Sequence, residues 1–248
     1  MMQTFGLIGY PLTHSFSKKF FNEKFSREGV DAIYENFEID SIGKLPEIIR
    51  ANPMLKGLNV TIPYKQDVFA YLNEVDEAAK EIGAVNTIRI ERDGDNYRLH
   101  GFNTDVVGFS DSIEPLLQPH HKKALVLGTG GASKAVVWAL LKLGLSTVVV
   151  SRSPKGTGQL SYDDLNETLM AEYTVIVNTT PLGTYPKTEG FPNIPYRFIN
   201  EKHLLYDLVY NPEKTRFLEK GEEQGAAIKN GLEMLHGQAL AAWEIWNR

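Results

Sequence analysis

Short apolar runs alternate with segments of helical spacing along most of the chain. Phe5-Gly6-Leu7-Ile8-Gly9 is apolar and stops at Tyr10-Pro11, the pattern of a strand running into a loop. From Phe16, the apolar positions Phe16, Phe20, Phe21 and Phe25 recur at helical spacing, which predicts a helix. Strands are predicted over 32–39 and 55–62, with a helix near 41–51 between them and a helical segment near 65–83 after them. Residues 84–90 read as a strand. Asp93-Gly94-Asp95 reads as the turn of a hairpin that returns through Tyr97–Gly101. A helix follows at about 104–114.

A second module begins after His120-His121-Lys122-Lys123. Ala124-Leu125-Val126-Leu127 is apolar without interruption, as a strand buried on both faces requires. It enters Gly128-Thr129-Gly130-Gly131-Ala132-Ser133, then a helix over Lys134–Leu143 and a strand over Thr147–Val150. Two more strands are predicted at 174–177 and 204–208. The stretch from Gly231 to Arg248 is helical, with Leu232, Leu235, Ala239, Trp243 and Trp246 on one stripe. Strands alternating with helices predict an α/β fold with mostly parallel sheet. Two α/β lobes are expected, 1–102 plus 237–248 and 103–236, with an active-site cleft between them.

Composition narrows the chemistry. The chain has 248 residues, 42% hydrophobic and 23% charged, which suits a globular protein with a core of useful size. Net charge is −5 and the basic residues are scattered, so neither a nucleic-acid nor a membrane partner is expected. The absence of cysteine excludes disulfides, thiolate metal sites and thiol nucleophiles. The first residues lack the basic and apolar regions of a signal peptide, and no apolar run approaches the ~20 residues of a membrane helix. The expected location is cytoplasmic, where the acceptor patterns at Asn59-Val60-Thr61 and Asn178-Thr179-Thr180 carry no glycosylation. Adjacent His120 and His121 rarely converge on one ion, and no metal is expected.

The turn Gly128–Ser133 lies between a buried strand and a helix, the context of a dinucleotide fingerprint. Glycines let the backbone approach a pyrophosphate, and the helix N-terminus supplies N–H groups and positive dipole. A tight strand-to-helix turn is the other reading of the same residues. Ser133 stands where the pattern has its third glycine, and a small residue still permits close packing there. An NAD site places a carboxylate about 20 residues on, against the ribose. Here the next strand ends in Ser151-Arg152-Ser153-Pro154-Lys155. Arg152 and Lys155 can meet a 2′-phosphate, and Ser151 and Ser153 can donate hydrogen bonds to it, which favours NADP. A solvated loop with two cations is the plain alternative.

Eight stretches, in order, resemble the shikimate dehydrogenase family (shikimate and quinate dehydrogenases). They are His14-Ser15-Phe16-Ser17, Asn59–Lys65, Gly83–Thr87, Gly101–Asp105, Gly128–Ser133, Asn178–Gly183, Tyr210-Asn211-Pro212 and Gly231–Gln238. The resemblance implies an N-terminal substrate domain, a Rossmann-like NADP-binding domain and NADPH-linked reduction of 3-dehydroshikimate to shikimate, on the route to chorismate and aromatic amino acids. It implies that Ser15 and Ser17 hold the substrate carboxylate. Thr61, Asn86, Asp105 and Gln238 would hold its hydroxyls, and Lys65 and Asp105 would be the catalytic pair. Gly128, Thr129, Gly130, Gly131, Ala132 and Ser133 would cradle the pyrophosphate, and Arg152 would take the 2′-phosphate. Thr180, Leu208 and Gly231 would lie near the nicotinamide end, with Tyr210 where substrate and cofactor meet. A monomer or homodimer is expected.

Plain readings stand beside these roles. Ser15 and Ser17 can cap the following helix, Asp105 suits any first helical turn, and Gln238 can bond a backbone carbonyl. Three positions depart from the family pattern. Lys18 replaces a usual proline, Thr184-Tyr185 follows Gly183 where methionine is common, and Ser153 replaces a threonine. In reduction a lysine starts protonated and can donate to the alkoxide oxygen. Two other functions remain open: an NAD-linked quinate or quinate/shikimate dehydrogenase, and a non-catalytic NADP-binding sensor on the same fold. Arg152 argues against the first, and the Lys65–Asp105 pair against the second.

Overall fold

The computed structural model describes residues 2–12, 16–94, 96–156 and 158–248. The chain divides into two compact units, Met1–Thr104 with Ala239–Arg248, and Asp105–Gln238. The first unit contains β1 (Gln3–Gly9), α1 (Phe16–Glu28), β2 (Ala32–Glu38), α2 (Leu45–Ala51), β3 (Leu55–Val60), β4 (Glu74–Val75), α3 (Glu77–Ile82), β5 (Thr87–Asp93) and β6 (Asn96–Phe102). Among the described residues its sheet runs β2-β1-β3-β5-β6-β4. The pairings β2–β1, β1–β3 and β6–β4 are parallel, whereas β5 is antiparallel to both β3 and β6. The antiparallel part is the predicted hairpin of β5 and β6 together with the pairing of β5 to β3, so the sheet is mixed with a parallel majority.

Period-two alternation gives this sheet two apolar faces. One carries Ile8, Leu58, Val60 and Ile88 against Leu45 and Ile49 of α2 and Ala79 of α3. The other carries Phe5, Leu7 and Tyr34 against Phe21 and Phe25 of α1 and against Ala242, Ile245 and Trp246. Trp246 stacks on Phe5 with ring centroids 5.0 Å apart and donates its indole N–H to the Ile88 carbonyl at 3.0 Å. A buried indole needs such a partner.

The predicted helical segment over 65–83 is interrupted. It contains a 3₁₀ turn at Asp67–Tyr71, then β4, then α3. Asn73 breaks it: its amide donates to the Leu99 carbonyl at 2.9 Å, and its Oδ1 accepts from the Leu99 N–H at 2.8 Å. Asp76 then caps α3 by accepting from Ala78 N–H. Pairing with β6 thus overrides the local helical pattern.

The second unit contains α4 (Asp105–Ile113), β7 (Lys123–Leu127), α5 (Gly131–Lys142), β8 (Ser146–Val150), β9 (Gln159–Leu160), α6 (Glu167–Glu172), β10 (Val175–Asn178), β11 (Leu204–Asp207), α7 (Arg216–Glu222) and β12 (Ala227–Lys229). The last helix, α8 (Leu232–Trp246), crosses the division after Gln238. The second sheet runs β9-β8-β7-β10-β11-β12, with every pairing parallel. Numbered within the unit, that is order 3-2-1-4-5-6, the doubly wound dinucleotide-binding order, which reverses between β7 and β10. Leu125, Leu127, Ile176, Leu205 and Phe217 form its core. Among the described residues no helix is long and apolar enough to cross a membrane.

Candidate active site

In an open parallel sheet, ligands bind beyond the carboxyl ends of the strands where the order reverses. Two loops leave that point in the second unit. The first is the glycine turn after β7. Gly128 adopts φ +114°, and a Cβ there would lie 2.7 Å from Thr179 Oγ1, so the turn needs glycine on both counts. Ser133 ties the turn down by donating to the Gly128 carbonyl at 2.7 Å. Gly130 precedes α5 without a side-chain cap, so the first amides of that helix suit an anion. Thr129 and Gly130 are exposed, Gly131 and Ala132 half-buried. These residues fit a pyrophosphate held by main-chain N–H groups.

β8 ends beside this turn, through parallel pairing of Leu127 with Val150. Ser151 is half-buried and accepts from Ser153 N–H at 3.1 Å, which folds the loop so that Arg152, Ser153 and Lys155 are exposed. Lys155 N–H donates to Gln159 Oε1 at 3.0 Å. The loop fits a 2′-phosphate.

The second loop follows β10. Asn178 Oδ1 accepts from Thr180 N–H at 3.0 Å and from Thr180 Oγ1 at 2.7 Å. Asn178 Nδ2 donates to Asp207 Oδ1 at 2.9 Å. That carboxyl also accepts from Val209 N–H at 3.0 Å and from Thr215 Oγ1 at 2.6 Å. Asp207 is fully buried, and burial pushes its pKa up to about 6 against those three bonds. Leu208 N–H donates to the Asn178 carbonyl, and Gly231 N–H to the Val209 carbonyl. At Gly231 a Cβ would lie 2.2 Å from the Leu208 carbonyl oxygen, so the chain can pass there only without a side chain. Thr180, Leu208 and Gly231 are therefore tied together through Asn178 and Asp207. Tyr210 lies just beyond, 37% exposed.

In the first unit, Thr61 and Lys65 follow β3. Thr61 N–H donates to the Ile8 carbonyl at 2.9 Å and its carbonyl accepts from Tyr64 N–H at 3.0 Å. Tyr64 is buried and donates its phenol proton to the Ile39 carbonyl at 2.6 Å. The Lys65 carbonyl accepts from Val85 N–H at 2.8 Å, and Val60 N–H donates to the Asn86 carbonyl at 2.8 Å. Lys65 and Asn86 thus sit on neighbouring, mutually bonded segments. Asn86 is 2% exposed; its Oδ1 accepts from Thr104 N–H at 2.7 Å and its Nδ2 donates to Thr104 Oγ1 at 3.0 Å. Ser15 lies outside the described residues. Ser17 stands in the first turn of α1, half-buried. Lys18, at the family's proline position, pairs with Glu35 of β2 at 2.7 Å. Asp105 opens α4 and is 2% exposed, and Gln238 is half-buried on α8.

The substrate-binding domain model of shikimate dehydrogenase matches residues 7–88. An NADP(+)-dependent shikimate dehydrogenase of Clostridium beijerinckii is 41% identical, covering 99% of this chain and 92% of its own. The chain belongs to the shikimate dehydrogenase family. A family member from Thermus thermophilus, solved with NADP(H) and shikimate, superposes with TM-score 0.85 at 32% identity over 99% of this chain and 93% of its own. A quinate dehydrogenase of Corynebacterium glutamicum, solved with NAD, superposes with TM-score 0.87 at 25% identity over the same shares. Fold alone therefore does not separate shikimate from quinate enzymes, and side chains must. Five polar residues outside the predicted set bond to these segments: Tyr34, Asn59, Thr87 and Thr104 in the first unit and Asp207 in the second.

Proposed function

We propose that this chain is an NADP-dependent shikimate dehydrogenase that interconverts 3-dehydroshikimate and shikimate on the route to chorismate and aromatic amino acids. What carries the reading is the joining of two features in one chain. A substrate-binding-domain match precedes an all-parallel sheet whose glycine turn lies at the order reversal, with Arg152 in place of a carboxylate after β8. The first unit takes the substrate and the second the cofactor. The enzyme works in the cytoplasm as a monomer or homodimer, without a nucleic-acid or membrane partner.

Ser15 and Ser17 receive the substrate carboxylate. Thr61, Asn86, Asp105 and Gln238 bond its hydroxyls, and Tyr210 lines the reacting end. Main-chain N–H groups of Gly128–Ser133 hold the pyrophosphate, and Ser151, Arg152, Ser153 and Lys155 hold the 2′-phosphate. Thr180, Leu208 and Gly231 shape the nicotinamide end. When bound, the reduced nicotinamide supplies the hydride for the ketone carbon. Lys65 donates a proton to the oxygen on which negative charge develops, an effect of roughly 10²–10⁴-fold. Asp105 accepts a hydrogen bond from the neighbouring hydroxyl and keeps the ring oriented, and in the reverse direction the same lysine takes the proton back.

The test follows NADPH and NADH oxidation with 3-dehydroshikimate and with 3-dehydroquinate. NADPH with 3-dehydroshikimate should give the highest kcat/KM. Preference for NADH with 3-dehydroquinate would assign a quinate enzyme, and no turnover in any pairing would leave a sensor.

A further inference from the structure

Among the described residues, the groups bonded to the Asp207 carboxyl are three neutral donors, a costly setting for a buried charge. Asp207 ends β11 and Asn178 ends β10, and the register of the two strands sets them side by side. Both are fully buried, as is Thr215 just before α7. Asp207 Oδ1 accepts from Asn178 Nδ2 at 2.9 Å and from Val209 N–H at 3.0 Å. Oδ2 accepts from Thr215 Oγ1 at 2.6 Å.

Proton accounting gives the two oxygens different tasks. A main-chain N–H only donates, so the Asn178 group facing Thr180 N–H must be the amide oxygen. The Asn178 NH₂ then faces Asp207 and needs an acceptor there. Turned over, the amide would set donor against donor at Thr180 and acceptor against acceptor at Asp207. Asp207 Oδ1 therefore holds Asn178 one way round, and Asn178 Oδ1 holds both the N–H and the hydroxyl of Thr180. That hydroxyl, its proton committed, accepts from Leu182 N–H at 3.3 Å, which fixes the turn leaving β10. Oδ2 serves the other side. It takes the Thr215 proton, and Thr215 Oγ1 accepts from Leu218 N–H at 3.4 Å and caps α7.

We propose that Asp207 is a positioning residue for the nicotinamide end of the cofactor, acting through Asn178 on Thr180. The task falls to Oδ1 as an acceptor and does not need the charge, whereas Oδ2 serves the cap of α7. A turn that is already ordered has less freedom to lose when a ligand docks, so Oδ1 contributes affinity through preorganisation. Asparagine at this position separates the two oxygens. Its amide oxygen must take the Oδ1 place, because Val209 N–H and Asn178 Nδ2 both donate there, and its NH₂ falls to Thr215. Alanine removes both. The proposal rests on the reading that Thr180 lies at the nicotinamide end, and it adds a residue buried out of the cofactor's reach.

Calorimetric titration of the whole chain with NADPH, and with adenosine 2′,5′-bisphosphate, which has no nicotinamide, tests it. Asp207→Ala should raise Kd for NADPH by about tenfold, the worth of one hydrogen bond, and leave Kd for the bisphosphate within about twofold. Asp207→Asn should leave both within about twofold of native. An asparagine variant as weak as the alanine one, an alanine variant with native affinity for NADPH, or equal losses for the two ligands overturns the proposal. If the native chain binds neither ligand, the cofactor reading itself fails, and the proposal with it. Should Asp207→Ala not fold, Thr180→Val, which exchanges the hydroxyl bonded to Asn178 for a methyl, stands beside Asp207→Asn. Thr180→Val should then lose affinity for NADPH alone. Native affinity for NADPH in Thr180→Val, or a loss in Asp207→Asn, overturns the proposal.

Discussion

Lys65 owes its position to main-chain bonds. Its carbonyl is tied to Val85, and the buried Tyr64 before it is pinned to Ile39, so the ammonium extends from a fixed root. Removing the side chain should therefore spare the fold and remove a proton donor. Lys65→Ala is expected to lower kcat by roughly 10²–10⁴-fold, with KM for shikimate within a few-fold of native and an unchanged melting temperature. A near-normal kcat would take Lys65 out of the chemistry. The sequence singles this residue out through the order of eight motifs, since the seven positions from Asn59 to Lys65 alone also suit a solvated lysine. Tyr34 and Asn59 were not legible as a pair. They are 25 residues apart in sequence and meet only because β2 and β3 flank β1 in a particular register, which no local pattern encodes.

Among elements, β7 and α5 were readable because an uninterrupted apolar strand and a glycine turn leave few alternatives. The two-residue β9 and the six-residue α6 are too short for periodicity to register, and the 65–83 segment yielded to sheet pairing. The ends of β10 and β11 are joined by Asp207, and that joint should depend on pH. The folded carboxyl titrates near 6 against an ordinary value of 3.8, so the folded state holds its proton more tightly than the unfolded chain. Its contribution to stability is complete below about pH 4 and is lost as pH rises through 6. The loss is on the order of 2–3 kcal/mol. The Asp207→Asn variant lacks this titration. Its unfolding free energy relative to native, measured by urea denaturation, should increase between pH 4 and pH 6 and level off above. A difference independent of pH would mean that burial does not govern this carboxyl.

At the scale of the molecule, each unit has its own sheet and its own core, so the two ligands should leave separate marks. Hydrogen exchange with shikimate alone should slow amides around Val60 and Asn86. With NADP alone, it should slow those around Gly128, Gly131 and Thr180. At 100 times Kd either ligand adds about 2.7 kcal/mol to the stability of what it binds. Shikimate protection confined to Asp105–Gln238 would reverse the roles given to the units. The glycine turn carries a further consequence, for how such a protein can change over generations. If main chain does the holding, as proposed, few single side-chain substitutions would erase the grip, and exposed Thr129 contributes to it only through its N–H. In the assignment proposed above, the choice between dinucleotides falls instead to the exposed tip of β8, chiefly Arg152. On that assignment a lineage would trade one cofactor for the other through a few codons, leaving the glycine turn untouched.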